Sequence, residues 1–245
     1  KVNEEKKNIV VGYTTYEPMN YLDEDGKLVG FDTELAKAVF EKLGYNVVFK
    51  EIEWESKYSD LASGNIDCIW NGFTANAADD DGVQRSEKVD FSYYYMENQQ
   101  AIVVKAEDAQ AAADTAWYAD KIGYVEAGSA GKGYAEKALT GSIVKEAVKQ
   151  TDAILQVNSG AASFAVVDIQ LAKGIAGKGD YAGLALVETM SSDTEFYAVG
   201  FKKGSELTAK VNEQLESLAA DGTIAKIAEK YGVSNTAIVD YSNQK

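Results

Sequence analysis

Strand-like and helix-like segments alternate from the start of this chain, and no other feature restricts its possible folds as strongly. Apolar runs at 9–15, 46–52 and 66–70 indicate strands, and helical periodicity at 35–43 and 56–63 separates them. This order predicts an α/β fold with a mainly parallel sheet flanked by helices. Ligands of such sheets bind beyond the carboxyl ends of the strands, so the loops that follow the first and third strands are the first candidates for a site.

The same alternation restarts in the second half of the chain. Strands are predicted at 101–104 and 121–125, and a helix begins at the loop 128–131. Residues 61–70 and 155–167 show a weak internal sequence similarity, because a Ser-Gly pair precedes a predicted strand in both. Since 245 residues suffice for two modest cores, we expect two lobes of related build.

Element boundaries follow from residues with known end preferences. Asp32 or Thr33 is predicted to cap the first helix, and Gly44 to end it. Near the end of the chain, a strand at 195–202 precedes two amphipathic helices, the second of which ends at Gly232. We expect these last helices to pack onto one of the two lobes.

Charge and composition exclude several classes of function. The net charge of −15 repels nucleic acid and anionic lipid surfaces, so neither is an expected partner. There is no histidine, and Cys68 is the only cysteine, which removes the usual hydrolase base and multi-cysteine metal sites. We therefore expect no metal and no cofactor, and a buried, unreactive thiol. No long apolar run is present, and we expect a mature form whose export signal has been removed.

Two charged residues are candidates for contacting a ligand. Arg85 is the only arginine in a chain whose other cationic side chains are lysines, which suggests a position that needs a bidentate donor for a carboxylate. Asp168 follows the apolar run 164–167 and places an anion at the end of a strand, although a helix N-cap is the alternative role. The loops 71–74 and 128–131 combine backbone N–H groups with hydroxyls and are candidate anion cradles.

Aromatic and acidic segments lie near the same predicted loops. Tyr16, Trp54 and Phe73 are suited to form a wall for the apolar part of a ligand, although most aromatic residues belong to cores. The run 79–81 consists of three aspartates but lacks the alternating acids and the terminal glutamate of a calcium loop. We interpret it as a solvated acidic turn.

Taken together, these segments resemble the polar amino-acid-binding proteins of ABC importers, which are bilobed periplasmic binding proteins of type II and bacterial family 3. The resemblance covers nearly the whole chain. Its carriers are Gly30-Phe31-Asp32-Thr33-Glu34-Leu35-Ala36, Gly64-Asn65-Ile66-Asp67, Trp70-Asn71-Gly72-Phe73-Thr74, Arg85, Val89-Asp90-Phe91-Ser92, Tyr95-Met96-Glu97-Asn98 and Val166-Val167-Asp168.

The resemblance implies a role for each candidate site residue. Arg85 would pair with the α-carboxylate of an amino acid, helped by Thr74 and the turn at Ser129, and Asp168 would receive the α-ammonium. The carbonyl of Gly72 would also contact the ammonium, and Tyr16 and Trp54 would form walls beside the ligand side chain. The full predicted ligand-binding set is Tyr16, Trp54, Asn71, Gly72, Phe73, Thr74, Arg85, Ser129, Ala130 and Asp168.

It also implies an organisation and a cellular role. The chain would cross twice between the lobes, with 1–98 and 193–245 forming the first lobe and 99–192 the second. A monomer without catalytic activity would capture a small amino acid and deliver it to the membrane permease of an ABC importer. It would act outside the cytoplasm, either free in a periplasm or as a lipoprotein anchored on a Gram-positive surface.

Two departures from the family pattern and two alternatives remain at this point. The loop 75–84 is longer than usual and contains the acidic run, and Ala130 replaces a common Thr or Ser, so only its backbone N–H is available.

The same fold hosts cyclohexadienyl-type dehydratases, for which a buried carboxylate such as Glu17 or Glu195 would have to serve as acid or base. A sensory domain of a larger receptor is the third class. Polar or uncharged ligands are favoured over acidic ones because a second arginine is absent.

Overall fold

The computed structural model describes residues 6–245 as two α/β lobes, each built on its own five-stranded sheet. Up to the first crossing between lobes, the elements are β1 Asn8–Tyr13, β2 Tyr21–Leu22, β3 Leu28–Val29, α1 Phe31–Lys42, β4 Asn46–Glu51, α2 Lys57–Ser63, β5 Cys68–Ile69, α3 Arg85–Lys88, β6 Asp90–Phe91 and β7 Met96–Asn98. The second lobe contains β8 Gln100–Lys105, β9 Ile122–Glu126, α4 Ala130–Ala138, β10 Ile143–Ala147, α5 Gln150–Asn158, β11 Phe164–Asp168, α6 Ile169–Ile175 and β12 Leu184–Ser191. The chain then returns through β13 Glu195–Tyr197, β14 Gly200–Phe201, α7 Leu207–Ala220 and α8 Thr223–Lys230.

The two sheets have the same topology. Their strand orders are β4-β1-β5-β14-β6 and β10-β9-β11-β8-β12. The first three strands of each order are parallel to one another, and antiparallel strands complete each sheet. The segments that echo each other in the sequence supply β5 and β11, which hold the same third place. The predicted bilobed α/β fold is therefore confirmed.

A two-stranded ribbon joins the lobes. Strand β7 leads into β8 through the single residue Gln99, and β12 returns to β13 through residues 192–194. The two connecting strands pair antiparallel, with Asn98 opposite Glu195 and Met96 opposite Tyr197. Because both crossings share one hydrogen-bonded ribbon, they form a natural hinge between the lobes.

The predicted cap of the first helix was wrong. Gly30 is the N-cap residue of α1, with φ of 124°, and no side chain caps the helix. A Cβ at this position would lie 2.2 Å from the carbonyl oxygen of Met19, so only glycine fits. Asp32 and Thr33 both lie inside the helix and are buried. The prediction failed because close packing of the chain against residues 18–19, which is a tertiary contact, sets where the helix begins.

Sheet edges account for other differences from the sequence analysis. Strands β10 and β12, which the sequence did not predict, lie at the edge of their sheet. Lys145 and Glu146 of β10 are exposed, so the strand lacks the apolar run that marks a buried one. The predicted strand at 195–202 is instead two short strands, one in the hinge ribbon and one in the first sheet.

Core packing places Cys68 where the sequence predicted. Its thiol is free and fully buried in β5, in the centre of the first sheet. Beside it, Phe40 of α1 meets the edge of Trp70 with 5.7 Å between ring centroids, which fixes the helix against the sheet. Across residues 6–245, no helix combines the length and apolarity needed to cross a membrane.

Candidate functional site

A polar cavity lies between the lobes, at the carboxyl ends of parallel strands from both sheets. Strands β9 and β11 end at Glu126 and Asp168, and the loop after β5 begins with Trp70. This is the location that the strand–helix alternation predicted. The first lobe lines the cavity with Trp54, Asn71, Gly72, Thr74 and Arg85, and the second with Gln100, Glu126, Ser129, Ala130, Gln150 and Asp168.

Arg85 extends from the first turn of α3 into the cavity wall and is only 1% exposed. Its Nε donates to Asp79 at 2.8 Å, its Nη1 to the carbonyl of Thr74 at 3.1 Å, and its Nη2 to the carbonyl of Gly128 at 3.1 Å. The guanidinium also lies over the ring of Phe73, 5.2 Å from its centroid. Since guanidinium has five N–H groups, two remain to grip an anion from the cavity.

Asp79 anchors this arginine from the acidic turn. Burial opposes ionisation of its carboxyl group, but the Arg85 charge and hydrogen bonds from Tyr58 and Lys88 outweigh burial and lower its pKa to about 2. The carboxylate is therefore charged at neutral pH and holds Arg85 in one orientation.

Asp168 faces the same cavity from the second lobe, surrounded by amide donors. Its carboxylate accepts hydrogen bonds from Asn98, Gln100 and Gln150, each at 2.7 Å. It is the N-cap residue of α6, the alternative position that the sequence left open, but its side chain makes no capping hydrogen bond. Burial raises its pKa, and the amide hydrogen bonds oppose that rise.

Neighbouring carboxylates make this side of the cavity strongly acidic. Glu195 of the hinge ribbon accepts from Asn98 at 3.1 Å and Gln100 at 3.0 Å, so it shares both amides with Asp168. Burial, followed by the nearby charge of Asp168, raises the pKa of Glu195. Glu126 is only 3% exposed, and burial together with Asp168 raises its pKa to about 8.

Gly72 occupies a turn that no other residue could form. Its φ is +56°, and a Cβ there would lie 2.6 Å from the ring of Tyr16 and 3.0 Å from that of Tyr197. Its N–H donates to the buried carboxylate of Asp32 at 2.7 Å. The turn is thus fixed on both sides, with its backbone held at the cavity wall.

Helix α4 presents its N-terminus to the cavity. Ser129 is the N-cap residue, and its hydroxyl accepts from the N–H of Lys132 at 3.3 Å. The first N–H groups of a helix have no partner within it, and the helix dipole makes this end favourable for an anion. Ala130 begins the helix and contributes one of these N–H groups.

Two predicted site residues lie behind the cavity instead of lining it. Tyr16 is buried, and its hydroxyl forms a 2.6 Å hydrogen bond with that of Tyr197. Phe73 packs edge-on against Trp54, with 5.2 Å between ring centroids, and supports Arg85 from below. The other predicted residues all reach the cavity.

The sequence analysis missed part of the site. Gln100 and Gln150 carry no pattern in the sequence that points to them, because their role is to hold Asp168. Glu126 could have been found, since it ends a parallel strand just as Asp168 does. Glu195 was considered only as the acid that a dehydratase would need.

The lobes touch each other around the cavity. Besides the bond from Arg85 to Gly128, the ammonium of Lys57 donates to the Gly128 carbonyl at 3.5 Å, and Lys132 of α4 meets Asp80 of the acidic turn at 2.6 Å. Glu51 and Lys149 form another ion pair across the cleft. The cavity is consequently enclosed by both lobes.

Two lobes that are joined by one ribbon and place opposite charges at a shared cavity are the architecture of a two-lobed ligand-binding protein. Residues 9–234 match the sequence profile of the bacterial extracellular solute-binding proteins, family 3, and the chain belongs to this family. The arginine-binding extracellular protein ArtP of Bacillus subtilis is 27% identical over 230 residues, covering 92% of this chain and 86% of that protein.

Solved structures of similar proteins share the fold. An ancestral arginine-binding protein bound to glutamine is 34% identical, with a TM-score of 0.83 over 94% of this chain and 100% of that one. A substrate-binding protein of an ABC uptake transporter from Streptococcus pneumoniae, with bound histidine, is 31% identical, with a TM-score of 0.82 over 94% of each chain. The names of these three relatives describe them as binding proteins.

Proposed function

We propose that this protein captures an amino acid by gripping its two charged poles from opposite lobes. The observation that carries the proposal is that Arg85 of the first lobe and Asp168 of the second line one enclosed cavity. An amino acid offers one carboxylate and one ammonium, so each lobe gains its charged contact only when the lobes close. The named ligands of the relatives, arginine, glutamine and histidine, have these two groups in common.

The α-carboxylate is assigned to the arginine end of the cavity. The two unused N–H groups of Arg85 form a bidentate donor, and the N-terminus of α4 at Ser129 and Ala130 adds backbone donors. The hydroxyl of Thr74 lies alongside, although it donates to Glu195 at 3.2 Å in this structure.

The α-ammonium is assigned to the acidic end. Asp168 accepts hydrogen bonds from three uncharged amides and forms no salt bridge within residues 6–245, so an ammonium would compensate its buried charge. Asn71 and Gly72 line the same cavity, where the carbonyl of Gly72 would also accept from the ammonium, and Trp54 would form the wall beside the ligand side chain.

Calorimetry with a panel of amino acids tests the proposal. At least one amino acid should bind, and at 100 times its Kd it should add about 2.7 kcal/mol to the free energy of unfolding. For a chain of this size that is about 5–10 °C in Tm. Asp168→Asn and Arg85→Lys should each weaken binding at least about tenfold, because one charged or bidentate contact costs about 1.4 kcal/mol or more.

A matched control separates site effects from general ones. Asp193 is exposed and lies between β12 and β13, outside the cavity wall. Asp193→Asn should leave the affinity for the amino acid unchanged. Circular dichroism of each variant establishes that it is folded. An unaltered Kd in a folded Asp168→Asn variant would remove the assigned role of that residue.

We further propose the cellular setting that the family implies. The protein would act outside the cytoplasm as a monomer, free in a periplasm or lipid-anchored, and deliver its ligand to the permease of an ABC importer without transforming it. The lobes would consist of 1–98 with 193–245, and of 99–192; residues 1–5 lie outside the described part. Uptake of labelled ligand should fall in cells that lack this protein, and incubated ligand should be recovered chemically unchanged.

A further inference from the structure

Glu126 is a buried carboxyl group in the cavity wall. The contacts proposed for the α-carboxylate and the α-ammonium do not involve it. It is 3% exposed and lines the cavity together with Asp168 and Arg85. Within residues 6–245 it takes part in no salt bridge, and its hydrogen-bond donor is the backbone N–H of Gln150. Because no cation is paired with it, burial keeps this carboxyl group largely protonated at neutral pH, and a cationic partner in the cavity would allow it to ionise.

The two cations whose charges act on the Glu126 carboxyl group already have partners. Arg85 is paired with Asp79, its Nε lying 2.8 Å from the carboxylate. Lys57 is 2% exposed, and its ammonium donates to the carbonyls of Trp54 at 3.2 Å and Gly128 at 3.5 Å. Burial and the neighbouring Arg85 lower the pKa of Lys57 to about 7, which further weakens it as a counter-charge.

Two further carboxyl groups lie near Glu126, Asp168 in the cavity wall and Glu195 behind the amide of Gln100. Asp168 and Glu195 share the amides of Asn98 and Gln100, which carry no charge to offset either carboxylate. A zwitterion with a neutral side chain brings one charge of each sign and leaves the acidic excess as it was. An amino acid with a cationic side chain brings one more positive charge and reduces that excess.

We propose that this site selects amino acids with a cationic side chain, and that Glu126 receives that side chain. The inference rests on the proposed function, because it places the α-carboxylate at Arg85 and the α-ammonium at Asp168. Glu126 then serves as the specificity-determining residue at the end of β9.

Neutral isosteres of cationic amino acids provide the sharpest test. Calorimetry at pH 7.5 compares arginine with citrulline and lysine with norleucine, and includes ornithine and glutamine. In the wild type, the cationic member of the better-binding pair should bind at least about 30-fold more tightly than its neutral isostere. In Glu126→Gln that ratio should fall below about threefold, because the cationic member loses its charged contact.

Proton release gives a second readout. A cation beside Glu126 lowers its pKa from about 8, so binding of the cationic ligand at pH 7.5 should release protons, measurable in buffers of different ionisation enthalpy. Because Asp168, Lys57 and Arg85 also act on this carboxyl group, the comparison with Glu126→Gln assigns the proton. Glu136→Gln, at an exposed position on α4, is the matched control and should keep both the preference and the proton release.

The outcomes separate this inference from the proposed function. Equal affinity of the wild type for both members of each pair overturns the inference and leaves amino-acid capture intact. An undiminished cation preference in a folded Glu126→Gln variant overturns the assignment to Glu126. Failure to bind any amino acid overturns the proposed function and the inference together.

Discussion

At the scale of single residues, Asp32 shows how a buried carboxylate shapes the site without contacting a ligand. It accepts from the N–H of Gly72 at 2.7 Å and from the hydroxyl of Tyr95 at 2.8 Å. Its second oxygen, Oδ1, is buried without a hydrogen-bond partner among the described residues. Asp32 therefore ties helix α1 to the turn whose backbone lines the cavity.

The same carboxyl group predicts a dependence of stability on pH. Burial raises the pKa of Asp32 to about 7, and the hydrogen bonds from Tyr95 and Gly72 limit the rise. A pKa raised on folding stabilises the protein fully at acid pH, and this contribution is lost as pH rises through about 7. Asp32→Asn should remove at least about 1 kcal/mol of the change between pH 5 and pH 8, or about 2–4 °C in the Tm difference.

Thermal unfolding of the ligand-free protein at both pH values measures this effect. Asp193→Asn, at an exposed position, should retain the pH dependence of the wild type. If Asp32→Asn shows the wild-type Tm difference between pH 5 and pH 8, the linkage does not arise from Asp32.

At the scale of elements, the acidic turn 79–81 does more than face solvent. The sequence predicted a solvated turn, and Asp80 and Asp81 are indeed exposed. However, Asp79 holds Arg85, and Asp80 crosses the cleft to Lys132 on α4 at 2.6 Å. The inserted loop thus orders a site residue and also contributes an ion pair between the lobes.

Removing this ion pair should weaken binding modestly. Asp80→Asn loses a partly exposed pair, worth about 0.2–1 kcal/mol, so the Kd for the ligand should rise by no more than about fivefold. The difference from the wild type should vanish near 1 M salt, where the Debye length is about 3 Å.

A neighbouring aspartate supplies the control for this experiment. Asp81 pairs with Lys88 of its own lobe at 2.8 Å, so Asp81→Asn removes the same charge without breaking an interlobe contact. Its Kd should match that of the wild type at low salt. Equal weakening in Asp80→Asn and Asp81→Asn would show that the loop acts through its net charge and not through the Lys132 contact.

At the scale of the whole molecule, the hinge ribbon links ligand binding to shape. Both connections between lobes lie in the β7–β13 pair, and Glu195 of that pair shares amide donors with Asp168. Charged contacts cross the cleft on either side of the cavity. A ligand that bridges the lobes should therefore favour the closed arrangement over an open one.

Small-angle scattering measures this closure directly. With saturating ligand, the radius of gyration should approach the value of about 18 Å expected for a compact chain of this length, and it should be larger without ligand. Asp168→Asn at the same ligand concentration should keep the larger value. Identical scattering curves for the wild type with and without saturating ligand would contradict ligand-driven closure.

Local patterns in the sequence predicted an α/β fold with two related lobes and the loops that line the cavity, and the family resemblance supplied the double crossing and the role of each site residue. Strand–helix alternation depends on local periodicity, and the ends of parallel strands meet at one edge, so Asn71 and Asp168 could be placed near a site from the order of the elements alone. The lone arginine was recognisable because its chemistry differs from that of lysine.

Tertiary packing, in contrast, sets which side chains share the cavity and how they are charged. Gln100, Glu126 and Gln150 come together from separate strands and a helix, and their spacing in the chain has no period that predicts this meeting. Gly30 replaced the predicted cap because the approach of Met19 is a packing contact. Burial then sets the protonation of Glu126, since the cost of desolvation depends on the surrounding lobes and not on the neighbouring residues in the chain.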